Sequence, residues 1–218
     1  MPPGPHPGFS KNVFINCPFD SEYSFLLRPI LFTIVYLGFT PQIASQTADS
    51  GEQRINKILS LIVKSKYSLH DLSRIRSKRS GELYRLNMPF ELGMDYACRR
   101  IPSGHLRQKR FLVLGATPHD YKKALSDLAG IDGKPHGNKP KKAVLALRNW
   151  FIETVHLKKA ESPNVIWYKF TDFTNDFHDE RKKDGFTKED LKMMPIREYI
   201  GFIRTWIDNL PRRHISGT

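Results

Sequence analysis

Three carboxylates stand where the chain turns from apolar to polar: Asp20 in CPFDSEY, Asp71 in HDLSR and Glu91 in NMPFELGMDYA. Asp20 follows the apolar run NVFINC and Asp71 closes the run YSLHDL. Glu91 falls in the first turn of a helix that Asn87 caps and Pro89 opens. A carboxyl group held against apolar neighbours, near a second carboxylate, retains its proton more readily, which suits acid/base or nucleophilic work. Phe90, Leu92 and Met94 surround Glu91 in sequence, so it is the foremost candidate. Each residue also has a plainer reading. Asp20 is an N-cap type, Asp71 a turn-capping type, and Glu91 sits where a helix dipole favours negative charge, worth about 0.3–1 kcal/mol.

Cationic groups lie near these acids. Arg74, Arg76, Lys78 and Arg79 follow Asp71, and Arg85 precedes the Glu91 helix. Arginine forks match phosphate oxygens, so the segment reads either as a phosphate clamp or as a solvated basic loop. The stretch KPHGNKPKK is a second basic segment, without the interleaved aromatics that stack on bases. His70, His119, His136 and His156 are scattered, with neither HxxxH nor HExxH spacing, so no metal site is expected. Neither a Walker lysine nor GxGxxG follows the first strand. Cys17 has no adjacent histidine and reads as a small rim residue.

The elements that must position these groups alternate. Strands are expected at 12–17, 39–44, 67–72, 109–115 and 164–170. Helices are expected at 22–37, 52–64, 87–100, 119–128, 141–157 and 188–209, the last broken near Pro195. Residues 73–85 and 129–140 read as loops, and 171–188 as loop or short helix. Strands and helices in this rhythm make a parallel sheet with crossover connections. Ligands of such sheets bind beyond the carboxyl ends of the strands, the edge to which separate loops bring Asp20, Asp71 and Glu91. A flexible leader over 1–10, one α/β domain over 11–175 and a helical extension over 176–218 complete the expected organisation.

Bulk properties narrow the setting. The 218 residues, 39% of them hydrophobic, suffice for one full core. Two cysteines make no disulfide framework, and neither a secretory signal nor a membrane-length apolar run is present, so a cytoplasmic location is expected. The net charge of +13 favours anionic partners, with a nucleotide-like small molecule ahead of nucleic acid and no membrane partner.

VFINCPFDSEY, HDLS and NMPFELGMDYA together resemble the TIR and nucleoside 2-deoxyribosyltransferase-like superfamily. The likeness spans residues 11–115 or so, about half the chain. It implies an α/β, flavodoxin-like or TIR-like three-layer fold with a five-stranded parallel sheet and C-terminal helical additions. It also implies cleavage or transfer at an N-glycosidic bond of NAD or a related nucleotide, taken as substrate, with no separate cofactor. Glu91 would attack or stabilise the anomeric carbon, and Asp71 would orient the sugar or pass a proton to the base. Asn16, Pro18, Phe19 and Asp20 would line the base and ribose, with Arg74 and Asn87 as further substrate contacts. Microbial defence and a working homo-oligomer are implied on the same grounds. A non-catalytic nucleotide sensor is the alternative.

Overall fold

A short strand whose residues are buried at both parities needs cover on both faces of its sheet, and three segments of this chain meet that condition. They are β1 (Asn12–Asn16), β3 (Tyr67–Asp71) and β4 (Arg110–Gly115), the first two buried along their whole length. The computed structural model describes residues 4–46, 51–75, 86–100, 104–128 and 130–211. With β2 (Thr40–Gln42) and β5 (Lys134–Pro135) these strands form one parallel sheet in the order β2-β1-β3-β4-β5. That is the flavodoxin-like order, with its switch point between β1 and β3. Val13 pairs with Tyr67 and Asn16 with His70 across that junction.

Helices cover both faces. Between β1 and β2 runs α1 (Ser24–Tyr36), which is mostly buried and closes at Gly38, whose φ of 80° suits only glycine well. On the same face lie α5 (Pro140–Glu153), α6 (Pro163–Lys183), α7 (Lys188–Met193) and α8 (Ile196–Asp208). The principal core joins Val13, Ile15, Leu69 and Leu112 of the sheet to α1, α5, α6 and α8. Within it Phe32 stacks on Phe173 with ring centroids 5.5 Å apart. On the other face lie α2 (Arg54–Val63) and α3 (Asn87–Arg100), where Phe14 meets Ile58, Ile62 and Cys98. A short α4 (Asp120–Ala124) follows β4. No described helix is long and apolar enough to cross a membrane.

The expected strand at 164–170 is not a strand: together with residues 171–183, the larger part of the segment read as loop or short helix, it forms α6, the longest helix among the described residues. Ser162 caps it by accepting the Val165 N–H, and Pro163 occupies its first turn. Ile166, Phe173 and Phe177 then keep helical spacing across the whole segment, outweighing the local β propensity of NVIWYKF. The fifth strand is instead Lys134–Pro135, whose residues pair with Leu114 and Gly115. Both of its residues are exposed, so it carries no apolar signature. The break at Pro195 separates α7 from α8 as expected. Near the amino terminus, Phe9 is buried with its ring 4.7 Å from that of His105. The basic residues Arg76, Lys78, Arg79 and Arg85 lie outside the described residues.

Candidate functional site

Successive side chains of a strand face opposite ways, so parity decides which helices each residue meets. In β3, Asp71 leans toward the α1 side while His70 leans toward α3. In β1, Asn16 turns toward α3, and Cys17 just beyond the strand joins the α1-side core. The carboxyl ends of β1 and β3 thereby set out two polar clusters, one on each face of the switch point.

On the α1 side Asp71 is fully buried and accepts three hydrogen bonds. The Ser73 N–H reaches Oδ1 at 2.7 Å, and the Tyr23 hydroxyl and His136 Nε2 both donate to Oδ2, the latter at 3.1 Å. His136 follows β5 in a turn where Gly137 and Asn138 have φ of 57° and 54°. That turn directs the Asn138 N–H onto His136 Nδ1 at 3.0 Å, which makes Nδ1 an acceptor and leaves the proton on Nε2. Both ring nitrogens are thereby engaged. Burial acts to raise the Asp71 carboxyl, yet the bonds from His136, Tyr23 and Ser73 hold it below its ordinary value. Burial, followed by the Asp71 charge, drives the Tyr23 hydroxyl well above its ordinary range.

Glu91 presents the opposite environment. It is buried on α3, and no hydrogen bond satisfies its carboxyl group among the described residues. Burial pushes it up to about 7, with the Arg54 charge acting in the other direction. The Cys17 thiol feels all three acids. Burial raises it first, and then the charges of Asp71, Glu91 and Asp20 each add to the shift. The three carboxylates picked out in the sequence thus share one neighbourhood around Cys17. That thiol stays protonated and is a poor nucleophile.

The remaining candidates divide. Asn16 is wholly buried and its Nδ2 donates to the Met88 carbonyl at 2.8 Å and to His70 Nδ1 at 3.0 Å. Its Oδ1 has no partner among the described residues. Pro18 is buried, while Phe19 and Asp20 are half-buried. Asp20 accepts the Tyr23 N–H at 2.9 Å and pairs with Arg74, Nη1 to Oδ2 at 2.7 Å. Arg74 also reaches Glu22 at 3.4 Å, so its guanidinium braces the first loop. Asn87 is exposed at the start of α3.

A second cluster was not singled out from sequence. With Nδ1 accepting from Asn16, His70 carries its proton on Nε2 and donates it to Asp95 Oδ2 at 2.9 Å. Lys109 Nζ lies 3.0 Å from Asp95 Oδ1 and donates to the carbonyls of Ile62 and Ser65 at 2.8 and 2.5 Å. All three charged or titratable groups are fully buried. These bonds join β1, β3 and the residue before β4 to α3, and hold Met88 and Asp95, about one helical turn to either side of Glu91. Its one sequence signal was polarity inside apolar runs: Asn16 in NVFIN, His70 in YSLHD, Asp95 between Met94 and Tyr96.

The arrangement sets a buried carboxyl group that holds its proton up to about 7 beside the carboxyl ends of the strands, which suits proton transfer or charge balance near neutrality. Comparison of the chain with protein-family models and with curated proteins returns no match.

Proposed function

We propose that the protein cleaves or transfers an N-glycosidic bond of NAD or a related nucleotide, with Glu91 as the reacting carboxylate. The observation that carries this reading is the Glu91 carboxyl itself: buried, without a hydrogen bond from the described residues, and raised to about 7 at the carboxyl edge of a parallel sheet. A carboxylate so placed gains more from a nearby positive charge than a solvated one does. In glycosidic cleavage that charge develops on the anomeric carbon as the C–N bond breaks and its electron pair leaves with the base. Glu91 balances the sugar cation or bonds to it, and water or a second base then completes hydrolysis or transfer. Asp71, with its oxygens engaged by Ser73, Tyr23 and His136, serves as a positioning group rather than a proton carrier. The superfamily resemblance adds a setting in microbial defence and a requirement for self-association.

One observation favours a second reading, in which the same edge recognises a nucleotide without turning it over. The Asp71, Tyr23 and His136 groups are so fully bonded to one another that they form a rigid wall with no free acid or base. Incubation of concentrated protein with NAD and a panel of nucleotides, beside Glu91→Gln, separates the two. Released base from the wild type and none from the variant supports the enzyme. Intact ligand bound equally by both proteins supports the sensor.

A further inference from the structure

At the other end of α3 the chain gathers several cations around one cavity. A cavity of about 340 Å³ is lined by Tyr96, Arg99 and Arg100 of α3 and by Arg107 in the turn His105–Gln108 before β4. Among the described residues no carboxylate pairs with any of these arginines. Aromatic rings hold two of them in place. The Arg100 guanidinium lies 5.2 Å from the Tyr96 ring centre, and its Nη2 and Nε donate to the Tyr96 hydroxyl at 2.8 and 3.2 Å. Arg99 lies 5.4 Å from the Phe111 ring centre. Because the Tyr96 oxygen accepts from Arg100, its own proton points elsewhere and remains free to donate. Every polar side chain among the described lining residues can thus donate.

The α3 dipole favours Arg99 and Arg100 in its last turn, but it does not account for Arg107, which joins them from the next segment. Like charges around one cavity repel unless an anion sits among them. Preset guanidinium forks and a hydroxyl donor match an acceptor-only ligand with several oxygens. We infer that this cavity binds the phosphate groups of a small polyphosphate, such as a nucleoside di- or triphosphate. Its size is at the lower end for ligand pockets, and the Tyr96 ring is already engaged by Arg100 and Phe111. Recognition therefore rests on phosphate and leaves the base unread. The site is independent of the proposed glycosidic chemistry. It lies where α3 leads into β4, at the amino edge of the sheet, away from Glu91.

The test is calorimetric titration of the full chain with inorganic tripolyphosphate, with a 20-nucleotide single strand as a competing probe. The wild type is compared with Arg100→Gln/Arg107→Gln and with Lys141→Gln/Lys142→Gln, a control of equal charge change. All four positions are exposed, and thermal melts establish that each variant is folded. The expected result is saturable one-to-one binding, weakened roughly tenfold or more by the arginine pair and unchanged by the lysine pair. No saturable binding, or equal weakening in both variants, would overturn the inference. So would single-strand binding that depends on the arginines while tripolyphosphate neither binds nor competes, which would reassign the cavity to nucleic acid.

Discussion

His70 and Asp71 are adjacent in β3 yet belong to separate networks: His70 donates to Asp95 on α3, and Asp71 receives Tyr23 and His136 on the α1 side. One strand end therefore anchors both helical layers of the fold. The two residues differ in what their loss should do, and the differences are measurable.

Glu91 ties stability to pH. Its ordinary value is 4.5, and burial carries it to about 7 in the folded chain. Between those values the folded state holds a proton that the unfolded state has lost, so this group's contribution to stability falls as pH rises through that window. Glu91→Gln removes the ionisation. It should raise the melting temperature at pH 8, by about 2–4 °C for each kcal/mol regained, and change it little at pH 4.5. An equal shift at both pH values would count against the assignment.

Asp71 behaves in the opposite sense. Its carboxyl is held below its ordinary 3.8, so the stability it supplies is complete above that value and is lost as pH falls through the folded value. Asp71→Asn should cost about 2–4 kcal/mol at pH 7, because an amide meets donors from Tyr23, His136 and Ser73 with fewer acceptor sites. Urea denaturation at pH 7 and pH 3 reads both effects. The wild-type advantage should shrink at the lower pH.

Lys109 holds a buried charge pair. Lys109→Met leaves the Asp95 carboxylate without its cation and should cost roughly 3–5 kcal/mol. Adding Asp95→Asn should recover part of that loss in a double-mutant cycle. Strict additivity would mean that the 3.0 Å contact carries no energy of its own.

The Cys17 thiol is wholly buried, and burial first, then the charges of Asp71, Glu91 and Asp20, keep it protonated. In a Cys98→Ser background, thiol-reactive dye should label Cys17 only as fast as the protein opens. Rapid labelling of the native chain would place Cys17 at an accessible surface instead.

Much of the architecture was legible in the sequence, because β1, β3 and β4 are buried runs bounded by polar loops, and α2 carries its apolar stripe at helical spacing. β5 escaped because two exposed residues leave no apolar pattern, and α6 was misread because Ile166, Trp167 and Phe170 suit a strand locally. Recognising α6 required weighing Ser162 and Pro163 as a helix start. The convergence of Asp20, Asp71 and Glu91 was likewise legible from strand and loop order. Their partners were not. Tyr23 and His136 lie 48 and 65 residues from Asp71, a separation that only the folded chain closes.

Helix α3 is fastened at two heights, by Asn16 on the Met88 carbonyl and by His70 and Lys109 on Asp95. These fasteners lie seven residues apart, about 10 Å along the axis, and Glu91 falls between them. The helix therefore acts as a ruler clamped at both ends of one graduation. It cannot slide or roll by a fraction of a turn without breaking a buried polar contact. The height of Glu91 above the sheet is set at once by Asn16, His70 and Lys109, and a substitution at any of the three reads out at that one carboxyl group.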